Sequence, residues 1–159
     1  MINYWIFRCD TTKYKLAERL EDANSLTTWR VNQHRNEIHT GDIAFIWENG
    51  KKGGIRARIR IDSEPSDMSE MDHELEYVVR NHSFDDDLDI GTRLRVTAII
   101  EATAHLLPEE VKNRPGLEGM SIFTGYKQQT NYEITPEQGE ILCKLPDWAD
   151  YKPEAAPPR

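Results

Sequence analysis

Two of the four tryptophans, Trp29 and Trp47, bracket a polar run that holds the amides Asn32 and Gln33 and the bases Arg30, His34 and Arg35. Indole faces stack on flat heterocycles and attract cations. Amide side chains offer a donor and an acceptor together, as the edge of a nucleobase requires. Single-stranded or flipped nucleotides are read by this combination. The same residue types also fill cores, so composition alone leaves two readings open: packing, or a slot for a flat polar ring.

Other chemistry is sparse. No serine stands in a GxSxG turn, and no glycine-rich phosphate loop opens a helix. His39, His73, His82 and His105 lack ligand spacing, and Asp85-Asp86-Asp87 lacks the spacing of a calcium loop. Cys9 and Cys143 form neither a CxxC pair nor part of a zinc cluster, and are expected to meet in the core as small apolar groups. No metal or cofactor is therefore expected. An enzyme acting on nucleic acid would have to assemble His34 or His105 with a distant carboxylate.

The net charge of −8 looks unfavourable for a polyanionic partner, but it is local. Residues 61–90 hold eleven Asp/Glu and one Arg, and the other 129 residues carry about +2. A basic face remains possible on the rest of the chain. The acidic stretch also suits a protein-interaction domain that mimics nucleic acid or binds a basic partner. Arg56, Arg58 and Arg60 share one face of IRARIRI, residues 55–61, and are expected to pair with that stretch rather than form a phosphate stripe.

The elements that must position these residues read as a single α+β domain. Strands are expected at 2–8, 42–48, 55–61, 92–102 and 132–134, with Ile55, Ala57, Ile59 and Ile61 sharing one face. Gly53-Gly54 would let another backbone approach closely. Short helices are expected at 13–22 behind Thr12, at 31–37 just after Trp29, at 70–80 behind Ser69, at 106–111 with Pro108 in the first turn, and from Thr135-Pro136 to Lys144. Trp5, in the first strand, reads as structural. The domain spans 1–145, with an acidic insertion at about 62–91 and a loose tail at 146–159. No apolar run is long enough to span a bilayer, and MINYWIF lacks signal-peptide features, so a cytoplasmic protein without a membrane partner is expected.

Four segments together carry a family resemblance. They are YWIF at 4–7, TWRVNQHRNEIHTGDIAFIW at 28–47, the Gly54-Ile55 restart, and YKQQTNYEITPEQGEIL at 126–142. In this order and spacing they resemble the EVE domain, a member of the PUA-like superfamily similar to the YTH domains that read methylated adenine in RNA. Residues 62–91 match none of its motifs. The resemblance implies a PUA-like curved mixed sheet or pseudo-barrel flanked by short helices. It also implies a cofactor-free, non-enzymatic reader of DNA or RNA that carries a modified base: methylated or hydroxymethylated cytosine, or methylated adenine. Such domains occur alone or beside a restriction nuclease, which would be a separate partner here. In this picture the base flips into an aromatic cage formed by Trp29 and Trp47. Asn32 meets the base edge, and Ser121, Thr130 and Asn131 lie near the pocket mouth. Arg30, Arg35, Lys51, Lys52 and Lys127 meet the backbone. Gln129 stands where the family pattern has glycine.

Overall fold

A computed structural model describes residues 2–79, 92–125 and 129–151. Lys127, His82 and Asp85 to Asp87 lie outside them. The backbone is organised on an eight-stranded mixed sheet, the α+β, PUA-like arrangement expected. Its strands are β1 (Tyr4–Cys9), β2 (Leu26–Arg30), β3 (Ile43–Glu48), β4 (Gly54–Ile61), β5 (Ser66–Met68), β6 (Arg93–Leu106), β7 (Asn131–Ile134) and β8 (Ala149–Asp150). The order is β2-β6-β4-β3-β1-β7, with β5 and β8 also paired to β6. Among the described strands, only β1 and β3 run parallel to each other.

Both faces of the central strands are covered. In β3, Ala44 and Ile46 join one apolar cluster with Trp5, Phe7 and Cys9. Phe45 and Trp47 join a second cluster with Ile6, Tyr132 and Leu142. Successive side chains of a strand point to opposite faces, so continuous apolar runs in β1 and β3 are what a doubly covered strand requires. In β4, Ala57, Ile59 and Ile61 share the first cluster as their alternation predicts. Ile55 instead enters the second, because the β4–β6 register shifts between Ile55 and Ala57. Gly54, at φ +93°, is needed at its position: a Cβ there would lie 2.0 Å from the Leu106 carbonyl oxygen.

Several local expectations change in the fold. Thr12 does not cap a helix; its hydroxyl donates to Asp10 at 2.7 Å, and α1 spans only Leu16–Glu21. No helix forms at 31–37, because His34 takes a positive φ of 61° and a turn follows it. Trp29 therefore ends a strand rather than preceding a helix. The segment after Ser69 forms a short 3-10 helix, Asp72–Tyr77, whose buried residue is Glu74. By contrast, α2 (Pro108–Lys112) has its proline in the first turn as expected. After α3 (Ser121–Thr124), α4 (Pro136–Cys143) starts with the expected reciprocal bonds between Thr135 and Gln138. Cys9 and Cys143 do not meet; they belong to different clusters. The segment after Pro146 is held as far as Tyr151: Trp148 stacks on Phe45 and β8 pairs with β6.

Charge pairing also differs. Arg56 meets Glu48, and Arg58 and Arg60 meet Glu101; among the described residues of the acidic stretch, Asp62 alone contributes, to Arg60 at 3.7 Å. The neighbouring strands supply these carboxylates because they lie across the sheet face, nearer than the loop. Two acids of the stretch turn inward instead. Glu74 accepts from Arg19 Nε at 2.7 Å and from the hydroxyls of Tyr14 and Thr27. Arg19 and Glu74 are both fully buried, and this network satisfies a charge pair that would otherwise be costly to desolvate.

Candidate nucleic-acid interface

The end of β1, the end of β2 and the start of the acidic stretch enclose a cavity of about 390 Å³. Trp29 lines it, half-buried, with Tyr14 packed edge-on against its indole at 5.8 Å between centroids. The indole N–H is buried and meets no acceptor among the described residues, so packing alone sets the ring. Arg8, Lys13, Arg30 and Arg95 supply positive charge to the walls, and Asp10 and Glu70 supply negative charge. Cys9 and Val78 add apolar surface. Burial pushes the Cys9 thiol up to about 12, so it stays protonated at neutral pH. The Thr12 hydroxyl holds the Asp10 carboxyl below its usual range. Burial raises the Glu70 carboxyl, against the pull of Thr28 and Arg95.

The amides of the opening motif prove to be builders of this cavity. Gln33 Oε1 accepts from the backbone N–H groups of Thr130 and Asn131, at 2.8 and 3.0 Å. Asn131, fully buried, returns the exchange. Its Oδ1 accepts from the N–H of Asn32 and of Gln33, and its Nδ2 donates to the Arg30 carbonyl. The two outermost strands of the main sheet path, β2 and β7, share no ladder, yet their ends are joined through these two side chains. Asn32 is exposed and donates to Thr130 Oγ1 at 2.8 Å, at the cavity wall.

Of the sequence-derived candidates, Trp29, Arg30, Asn32 and Thr130 line the cavity, and Asn131 braces it from behind. Trp47 does not reach it. Trp47 packs edge-on against Phe123 in the second cluster, across the sheet. The strand alternation that buries Ile46 on the cavity side sends Trp47 to the other. Ser121 also lies elsewhere, beside Tyr4 and Pro136, donating to the Glu133 carbonyl. Arg35 is exposed on the turn after His34. Lys51 and Lys52 are exposed on the β3–β4 hairpin, which leaves the sheet where Asn49 N–H donates to the Cys9 carbonyl. His34 packs on Trp5 and faces Glu37, and His105 contacts the Lys52 carbonyl; neither lines the cavity. Trp5 is fully buried and donates to Asp42 at 3.0 Å, the structural role expected.

Sequence reading missed Arg8, Lys13, Tyr14, Thr28, Glu70 and Arg95. Arg95 left one usable signal: it precedes the largely apolar run Val96 to Ile100 in alternation with Val96 and Leu94, and a guanidinium drawn into such a strand needs a carboxylate partner.

The fold and cavity define a small PUA-like domain whose open sheet is closed at one end by side-chain amides. The family model for the EVE domain matches residues 3–145, and the chain belongs to that family. No curated protein matches it. Among solved structures, it resembles human THYN1 in complex with 5-methylcytosine-containing DNA, at 20% identity over 98% of this chain and 99% of that one, TM-score 0.60. Rpa0253 from Rhodopseudomonas palustris is similar at 14% identity, covering 90% and 92% of the two chains, TM-score 0.60. A hypothetical protein from Leishmania major is similar at 16% identity, covering 91% and 94%, TM-score 0.58. Among the described residues no helix is long and apolar enough to cross a membrane.

Proposed function

We propose that this domain is a non-catalytic reader that binds nucleic acid and takes one modified base, 5-methylcytosine in DNA first among the candidates, into the cavity beside Trp29. The observation that carries the reading is the cavity's makeup: an indole and a phenol ring, with Arg8, Lys13 and Arg30 also in the lining. Aromatic faces hold a base by stacking, and the cations suit the phosphates that flank it. Further support comes from a protein of similar fold, human THYN1, which binds DNA containing 5-methylcytosine. In this reading Trp29 is the stacking platform, and Asn32 and Thr130 meet the base edge or sugar. Arg30, Arg35, Lys51 and Lys52 follow the backbone. Trp47 and Ser121 contribute through the fold, from outside the cavity.

Fluorescence anisotropy with oligonucleotides carrying 5-methylcytosine, at fixed salt, tests this. Trp29→Ala should weaken binding by about 5- to 150-fold, the loss of one stacked base at roughly 1–3 kcal/mol. A Trp29→Ala protein that binds as tightly as the parent would remove the cavity from the mechanism.

A further inference from the structure

The cavity lining also contains a carboxylate from the acidic stretch, beside Arg95. Glu70 lines the cavity, and only 7% of its side chain remains accessible. Its two oxygens are unequally occupied. Oε1 accepts from the Thr28 hydroxyl and from the Met71 N–H at 3.3 Å. Oε2 accepts from Arg95 Nη1 at 3.1 Å. A carboxylate oxygen carries two lone pairs, so Oε1 is saturated and Oε2 keeps one acceptor position. Arg95 holds that oxygen in place, its own Nε donating to the Met68 carbonyl at 3.2 Å.

A fixed, buried acceptor in a slot walled by aromatic rings selects for a ring that carries a donor. We propose that Glu70 is a specificity-determining residue of the cavity and accepts a hydrogen bond from the exocyclic amino group of the bound base. The ligand class is then a base whose amino group stands at pyrimidine C4 or purine C6, cytosine or adenine and their methylated forms. Thymine and uracil present a carbonyl oxygen at the corresponding position, and placing it against a carboxylate is repulsive. The amino group of 5-methylcytosine is its main difference from thymine, so the site separates methylated cytosine from its deamination product without sensing the methyl group. Arg95 favours the charged form of Glu70 against the burial that raises its carboxyl, and the cations in the cavity lining offset the negative charge that the strand's phosphates add. The inference rests on the base-binding reading above and adds to it the edge that is read.

The test measures the full-length protein against duplexes in which one position, opposite an abasic site, carries 5-methylcytosine, thymine or 5-methyl-2-pyrimidinone. The last carries hydrogen at C4, with neither the amino group nor the carbonyl oxygen there. The abasic partner means that no base pair has to be broken, so the comparison reports the pocket alone. The wild type should prefer 5-methylcytosine over both others by about tenfold or more, the scale of one hydrogen bond to a charged acceptor. The double variant Glu70→Met with Arg95→Met removes the acceptor without stranding the guanidinium, and should bring that ratio near one. Equal wild-type binding of 5-methylcytosine and the amine-free analogue overturns the proposal. So does a double variant that keeps the tenfold preference. Should the double variant fail to fold, the wild-type ratio decides alone. A wild type that binds all three duplexes no better than one with abasic sites on both strands points instead to failure of the base-binding reading itself.

Discussion

Glu64 is exposed, yet its carboxyl is held at about 2, chiefly by a hydrogen bond with His39 and then by the Thr40 N–H. The same contact raises the His39 imidazole. The two shifts set opposite limits. Glu64 is lowered, so its contribution is present above the ordinary value of 4.5 and is lost as pH falls towards about 2. His39 is raised, so its contribution is present below the ordinary 6.5 and is lost as pH rises through the higher folded value. The pair is fully formed only between those limits. His39→Ala should move the Glu64 titration upward, part of the way to 4.5, as read by carboxyl NMR; a midpoint unchanged near 2 would assign the shift to the backbone N–H alone. None of this could be read beforehand, since His39 and Glu64 are twenty-five residues apart. Glu70 was hidden for a different reason. Within a run of eleven acids, solvation is the ordinary state of each, and only burial distinguishes one from the rest.

At the scale of elements, the closure of β2 against β7 depends on Asn131. Its side chain serves two N–H donors and one carbonyl on the segment that follows Trp29. Removing it leaves those groups without their partner in a partly buried place. Asn131→Ala should lower stability by about 2–4 kcal/mol in urea unfolding, and it should weaken base binding as well by releasing the segment that carries Asn32. A variant as stable as the parent would mean that water replaces all three bonds. Strands were the most legible elements, because alternation in β4 and short runs of aromatic and β-branched residues in β1 and β3 leave few other options. The assignment of Trp47 to the cavity failed at this scale. IAFIWE is apolar on both faces, so the run contains no pattern that tells which face meets which neighbour.

For the molecule as a whole, the −8 charge is a poor guide to binding. Part of the acidic stretch is neutralised internally: Glu70 meets Arg95 and Glu74 meets Arg19. The local balance of charge at the cavity therefore differs from the total. If Lys51 and Lys52 both follow the nucleic-acid backbone, Lys51→Ala with Lys52→Ala should reduce the slope of log K against log salt by about 2 for duplex DNA. An unchanged slope would place the strand away from the β3–β4 hairpin. Deleting the whole acidic stretch is not a clean test of its role, because it removes β5, Glu70 and Glu74 together and strands two buried arginines.

The sequence by itself determined the sheet-forming runs, the capped start of the last helix and the EVE family, because these depend on neighbours in the chain or on ordered motifs. It also singled out Trp29, Asn32 and Thr130 as candidates, and these three line one cavity. Only the tertiary structure decided that Trp47 and Ser121 lie elsewhere, that Gln33 and Asn131 close the sheet, and that Glu70 faces the cavity. Each of these depends on register, or on a contact between residues dozens of positions apart. A shift of one residue in a strand exchanges its faces, and a buried charge takes whatever partner the packing presents.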